Sequence, residues 1–556
     1  MPLSLKRLVE PPSTPGLLLG TLFFAFSLAP SLVPRPLLLQ GLVSGVSLTL
    51  GYAGGVAGRW LWGYLELPLP EPRTDRLIKL VATGVCVAVA AWFLWQAGEW
   101  QNGLRVLMGM EEETGIRPFS VGLFTLLVFG ALLLLARIVE QTAVVLSRRL
   151  QESIPRRISN ALGVALALSL FWTLTEGVVL SAGLTLADRS YQSLDALIGD
   201  DLEPPVAPLR SGSAASLVPW EDLGRQGRSF VTSGPTAEDI STFLGESAME
   251  PIRVYVGLNA AGDPETRAQL AMEELHRVGA FQRSVLLLVT PTGTGWVDPP
   301  AILPMEYLNR GDIATVAAQY SYLSSPLALL AEAAYGAETA RALFLEVYRH
   351  WASLPPGDRP ALYLHGVSLG ALNSSLSFDL QDILADPFQG VLWSGPPFRT
   401  ETWSRATRDR DPDSPAWLPR YREGRVVRFM NQDGGLDEFD TPWGPLRIAY
   451  LQHASDPITF FSVDSFFREP EWMEEPRGPD VSPDLRWYPV VTGLQLAADM
   501  LVGGAPPGFG HTFAVEHYLE AWVALTEPEG WSEEEVARLR ALLVELEEGS
   551  FEREED

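Results

Sequence analysis

One cysteine, Cys86, occurs in the 556 residues, and it lies in an apolar run. A single thiol builds neither a disulfide framework nor a cysteine metal site within one chain. The six histidines lack the His-Glu-x-x-His spacing that holds zinc on a helix, and nothing in the sequence calls for a metal or other cofactor. Basic residues are outnumbered: the formal net charge is −27, and no concentrated basic patch offsets it. Nucleic acid is therefore not an expected partner, because its phosphates would be repelled. Charge of either sign is scarce in the first third of the chain, and the remainder reads as an acidic globular protein.

What fills the first third is hydrocarbon. Five apolar stretches, at about 15–33, 38–58, 80–97, 119–136 and 160–187, are each long enough to cross roughly 30 Å of lipid. Basic residues are retained on the cytoplasmic side of short loops. With the N-terminus inside, that side holds Lys6, Arg7, Arg59, Arg73, Arg76, Lys79, Arg137, Arg148, Arg149, Arg156 and Arg157, and the other side only Arg35, Arg105 and Arg117. Five crossings then deliver everything after residue 187 to the outside. The second stretch repeats Gly-xxx-Gly spacing through Gly41, Gly45, Gly51, Gly54, Gly55 and Gly58, which predicts close helix packing within the chain's own bundle. Glu176 falls near the middle of the fifth stretch, where a carboxyl needs a partner or a purpose.

The expected organisation is a transmembrane domain at 1–187, a Pro/Ser/Gly-rich linker at 188–221, a catalytic domain at 222–525 and an acidic C-terminal helix and tail at 526–556. In the third part, β-rich runs at 252–258, 284–290, 313–323, 361–364, 390–394, 425–430 and 446–452 alternate with helical patterns such as 264–278 and 338–354. Such alternation implies right-handed βαβ crossovers and a mostly parallel sheet with helices on both faces, an α/β fold. Ligands in such sheets bind beyond the carboxyl ends of the strands. Ser532-Glu533-Glu534-Glu535 reads as a capping box opening a solvated helix to about residue 547.

At the end of one run stands Gly366-Val367-Ser368-Leu369-Gly370, passing directly into helix-compatible residues. A strand, a tight turn bearing serine and a helix make a nucleophile elbow, and the two glycines leave room for so sharp a turn. A serine hydroxyl needs a histidine to take its proton and an acid to orient that histidine. His511, in Pro506-Pro507-Gly508-Phe509-Gly510-His511, is a loop histidine directly before a helix; His517 is its rival, inside an amphipathic run where it would pack or cap. Asp456 follows a late strand and precedes Pro457; its rival Asp433 sits in an Asp-Gly turn pair. For the developing oxyanion, the expected donors are the Leu369 amide and an amide around Thr292 or Gly293, in the glycine-containing loop after the 284–290 run.

Further segments carry a resemblance. Leu28-Ala29-Pro30-Ser31-Leu32-Val33-Pro34-Arg35, Thr292-Gly293-Thr294-Gly295-Trp296-Val297-Asp298-Pro299, Gly311-Asp312 with Gln319-Tyr320-Ser321, the elbow, Tyr450-Leu451-Gln452-His453-Ala454-Ser455-Asp456-Pro457 and Gly510-His511 together make the chain resemble the bacterial membrane-bound α/β-hydrolases, in which a multi-span N-terminal domain precedes a serine-hydrolase-like domain. The resemblance implies an α/β-hydrolase fold behind an all-α transmembrane bundle, and a hydrolytic class without a substrate. Val367 departs from the polar or acidic residue expected beside the nucleophile. The expected activity is that of a membrane-embedded serine esterase or lipase-like acyl hydrolase, with a small-molecule or lipid ester as its partner. An acyltransferase would use the same residues, and a non-catalytic membrane scaffold or transport component would only bind through them.

Overall fold

The computed structural model describes residues 12–68, 71–113, 117–173, 195, 202–323, 333–502 and 505–555. The chain divides into two compact units. One comprises Met1–Gly183 with Phe461–Met473 and Asp480–Pro506, and the other Leu184–Phe460 with Glu474–Pro479 and Pro507–Asp556.

In the first unit the apolar runs become helices α1 (Thr14–Ser27), α2 (Leu37–Tyr64), α3 (Pro72–Leu107), α4 (Arg117–Leu150) and α5 (Arg156–Trp172). Among the described residues three helices, α2, α3 and α4, are long and apolar enough to cross a membrane. The first expected span is a shorter helix of 14 residues. At 1.5 Å per residue it covers about 21 Å, and it stops at Ser27 because Pro30, Pro34 and Pro36 cannot continue it. Of the fifth expected span, the 17-residue helix α5 covers 160–172, while Glu176 and the rest of 174–187 lie outside the described residues. Most of the glycines of α2 pack within this unit, whereas Gly58 faces open space. A Cβ at Gly51 or Gly55 would stand 2.6 Å or 2.3 Å from carbonyls of Leu19 and Pro15 in α1, and one at Gly41 or Gly45 would run into Phe124 or Val128 of α4.

Phe461–Met473 and Asp480–Pro506 form an insert that folds onto α1 and α2. Its helix α6 (Val491–Asp499) ends in Asp499, fully buried with Arg35 and bonded to its Nε at 2.5 Å. The same carboxylate accepts from the Leu32 amide at 3.2 Å and from the Ser31 hydroxyl. Gln495 donates to the carbonyls of Ser27 and Ala29, and Tyr488 stacks on Phe26 at 4.0 Å. The Gln495 bonds satisfy carbonyls at and just beyond the end of α1, where helical partners run out, and Asp499 takes the Leu32 amide of the loop that follows.

The second unit is built on a seven-stranded sheet: β1 (Ile252–Val256), β2 (Val285–Thr290), β3 (Ile313–Ala318), β4 (Ala361–Val367), β5 (Gly390–Ser394), β6 (Val427–Met430) and β7 (Arg447–Leu451). The spatial order is β1-β3-β2-β4-β5-β7-β6, and every pairing is parallel. β1, β2, β3 and β5 are buried throughout, which is why they read as continuous apolar runs. Thr290 aligns with Gly366, Val367 with Ser394, and Ser394 with Leu451. The carboxyl ends of β2, β4, β5 and β7 therefore form one edge. β3 ends at Ala318 rather than at 323, because Gln319 turns its side chain onto the Thr294 and Ser321 carbonyls.

Around the sheet lie α7 (Pro264–Arg277), α8 (Pro299–Leu308), α9 (Ala333–Ser353), α10 (Leu369–Ser375), α11 (Val515–Thr526) and α12 (Glu533–Glu555), with further short helices and turns among them. The capping box of α12 forms, with Ser532 and Glu535 bonding reciprocally. The helix is not simply solvated: Leu539 and Leu543, four residues apart on one face, are fully buried.

Candidate active site

β4 delivers Ser368 into a backbone conformation of φ 57° and ψ −125°, a region costly for any side chain. The neighbours explain how it is held. A Cβ on Gly366 would stand 2.4 Å from the Gly370 carbonyl group, and one on Gly370 would stand 2.2 Å from the Thr290 carbonyl oxygen. The turn and the end of β2 thus approach at distances only glycine allows. The Ser368 amide donates to the Ser394 carbonyl at 2.9 Å, continuing the ladder between β4 and β5 by one residue. α10 begins at Leu369, so the Leu369 amide is one that the helix itself leaves unused.

Asp456 follows β7 and is fully buried. One carboxylate oxygen accepts from the amides of Ile458 at 2.8 Å and Thr459 at 3.3 Å, and the other accepts from the Thr459 hydroxyl at 3.0 Å and bonds His511 Nδ1 at 2.7 Å. This places the histidine tautomer: a carboxylate beside Nδ1 holds the proton there and leaves Nε2 as the base. His511 Nε2 is buried and has no hydrogen-bond partner among the described residues. The imidazole lies against Gly395, where a Cβ would stand 2.5 Å from Cε1. Gly395 directly follows Ser394, the residue whose carbonyl anchors Ser368. The elbow and the imidazole therefore rest on consecutive residues at the end of β5.

Two residues to which the sequence reading assigned no role hold this geometry. The Ser455 hydroxyl accepts from the Gly510 amide at 2.8 Å, and His453 Nδ1 donates to the Gly510 carbonyl at 3.0 Å. Both backbone groups of the residue before His511 are thereby fixed from the acid's own loop. The signal in the sequence was two polar residues crowded between an apolar strand and Asp456. The rivals lie elsewhere. His517 is buried against His453, and burial with nearby positive groups pushes its imidazole down to about 3. The Asp433 amide bonds Asn431 in a tight turn. His365, in β4, packs on Tyr518 and Trp522, and burial pushes it down to about 4.

The loop after β2 is braced. Tyr255 donates to the Gly295 carbonyl at 2.7 Å and Gln319 to the Thr294 carbonyl at 3.1 Å. Of the two expected loop donors, Thr292 spends its amide on the Trp296 carbonyl at 3.0 Å, so it has none to offer an oxyanion. Gly293 lies in the same turn, and its sequence neighbourhood is pressed against α10 through Gly370. At the end of this loop Asp298 accepts from the Tyr518 hydroxyl at 2.8 Å. Burial pushes the Asp298 carboxyl up to about 7, although Tyr518 and the nearby His511 both pull it down. Among the described residues no group of three or more His, Cys, Asp or Glu could hold a metal ion. A cavity of about 310 Å³ beside β6 is lined by Trp417, Phe429 and Phe439 and by none of the candidate residues.

The structure brings Asp456 and His511 together and sets Ser368 on the same carboxyl edge of the sheet, with no hydrogen bond between Ser368 and His511 Nε2 among the described residues. Comparison with known proteins agrees at the level of family. A model described as the alpha/beta-hydrolase family matches residues 252–539, and one described as the N-terminus of that family matches residues 28–235. No curated protein and no solved structure matches the chain. With the sheet, the elbow and a family match over more than half of its length, the chain belongs to the alpha/beta-hydrolase family.

Proposed function

We propose that the protein is a membrane-anchored serine hydrolase that cleaves carboxylic esters, with Ser368, His511 and Asp456 as its triad. The observation that carries this reading is the 2.7 Å bond between Asp456 and His511 Nδ1, which leaves a buried Nε2 without a partner among the described residues. Ser368 Oγ attacks the acyl carbonyl while His511 Nε2 takes its proton, and Asp456 stabilises the resulting imidazolium. The Leu369 amide, with Gly293 as the donor from the β2 loop, holds the oxyanion. His511 then protonates the departing alcohol, and water hydrolyses the acyl-enzyme by the same steps in reverse order.

Location supports a lipid or other membrane-associated ester as substrate, since three helices are long and apolar enough to cross a bilayer. The basic residues support a cytoplasmic N-terminus and an extracytoplasmic catalytic domain. The insert that begins five residues after Asp456 packs at the α1–α2 loop, the end of the bundle with few basic residues, which supports the same orientation. The test is labelling of the detergent-solubilised protein by a fluorophosphonate. Wild type is expected to label and Ser368→Ala to remain unlabelled. A folded wild type that does not label, or a Ser368→Ala variant that labels equally, removes the nucleophile from this assignment.

A further inference from the structure

The insert between Asp456 and His511 carries large apolar side chains that stand exposed. Phe467 is 77% exposed, and Val463, four residues earlier in the same turn, is 63% exposed. Leu501, after α6, is 62% exposed. Single exposed apolar residues are ordinary on a protein surface. These differ in what holds them. The Val463–Phe466 turn is fastened by the Val490 amide to the Phe466 carbonyl at 2.7 Å and by Trp487 Nε1 to the Ser465 carbonyl at 2.8 Å. Its support is in turn locked to the end of α1 by Gln495 and Asp499. Tyr488 stacks on Phe26, in the last turn of α1, and Trp487 adjoins it. Paired Trp and Tyr at the end of apolar helices are the side chains that settle at the boundary of lipid and water.

We infer that this insert is a bilayer-interface element, with Val463 and Phe467 entering the lipid, and that the site draws its ester substrate from the membrane. The occupant is lipid rather than a protein partner because the exposed turn is continuous with a bundle that carries spanning helices. Charge does not recruit it: Asp464, Glu469, Glu471 and Asp484 outnumber Arg468 and Arg486 around the apolar turn. The seat is hydrophobic, and it neither requires anionic lipid nor weakens in salt. The substrate consequence, which rests on the hydrolase reading, is a diacyl or single-chain lipid ester in place of a freely soluble one. The chain enters the insert five residues after Asp456 and leaves it five residues before His511, so the element that meets lipid is bracketed by the acid and the base.

The experiment has two arms. In a Cys86→Ser background, which removes the sole cysteine, Phe467→Cys is spin-labelled in proteoliposomes of zwitterionic phospholipid, with exposed Glu471→Cys as the aqueous reference. Collision rates with oxygen above those with a water-soluble nickel chelate at 467, and the reverse at 471, are expected. Nickel-dominated collisions at 467 overturn the interface assignment whatever the activity. In the second arm, Phe467→Asp is compared with wild type on a long-chain ester in vesicles and on a short soluble ester. The ratio of the two rates is expected to fall at least tenfold, and an equal loss on both overturns the substrate inference. Failure of the hydrolase reading shows separately, as absence of fluorophosphonate labelling in wild type.

Discussion

Replacing Asp499 by alanine tests whether the insert is held by chemistry or merely by packing. The carboxylate is fully buried and has three donors: Arg35 Nε at 2.5 Å, the Leu32 amide at 3.2 Å and the Ser31 hydroxyl. Arg35 also reaches Gln40 at 3.0 Å, and its amide reaches Gln101 at 3.0 Å, so the guanidinium would stay in place after losing its bond to Asp499. Removing one partner of a buried pair costs about 3–5 kcal/mol. Substituting hydrocarbon for both, as in Arg35→Met with Asp499→Leu, is often neutral, since neither charge then has to be desolvated. A chain of two compact units has no single unfolding free energy, so the readout must be local. Hydrogen exchange of the amides in Val491–Asp499 measures the opening of that helix directly. At 1.4 kcal/mol per decade, Asp499→Ala should speed this exchange by about a hundred- to several-thousand-fold, and the double variant should recover most of it. Unchanged exchange in Asp499→Ala, or a double variant as loose as the single, would refute the assignment of the insert's anchorage to this pair.

Two further outcomes concern the second unit. Asp456→Asn keeps the size of the side chain but favours the wrong imidazole tautomer, and kcat for ester hydrolysis should fall by about 10³–10⁴-fold with KM little altered; a loss below tenfold would remove Asp456 from the triad. Asp298→Asn retains an acceptor for Tyr518 while removing a carboxyl whose pKa burial raises from 3.8 to about 7. The folded protein holds that proton more tightly than the unfolded chain, so its stabilisation is complete below about pH 4 and is lost as the pH rises to about 7. The melting temperature of Asp298→Asn relative to wild type should therefore climb across that window, and an offset independent of pH would contradict it. Glu547, raised to about 7 by burial and in part by the Asp298 carboxylate, is raised less in the variant, which shifts the difference in the same direction.

Local pattern carried most of the architecture. All seven strands were legible because strands buried on both faces are short apolar runs with turns between them. The elbow was legible because its glycines are demanded by contacts within five residues and with the adjacent strand. Where the reading slipped, a local pattern outran its cause. The 313–323 run kept its apolar and aromatic character past the point where Gln319 turned the chain, and the acidic 533–547 stretch concealed Leu539 and Leu543 among its charges. The 15–33 run was apolar throughout, yet its prolines, and not its hydropathy, determined where α1 stopped.

The insert was illegible for a different reason. Its decisive bond joins Arg35 to Asp499 across 464 residues, and no periodicity connects two such positions. In sequence the stretch lies between a candidate acid and a candidate base, so it reads as part of the domain that surrounds it. Chain order also explains why the two candidates needed a structure to bring them together. Asp456 and His511 are 55 residues apart, and most of those residues belong to the other unit. What returns His511 to its acid is the pair of bonds that Ser455 and His453 make to Gly510. The acid's loop supplies both. The base is therefore positioned by the strand end that supplies its partner, and its placement does not depend on the path the chain takes through the insert.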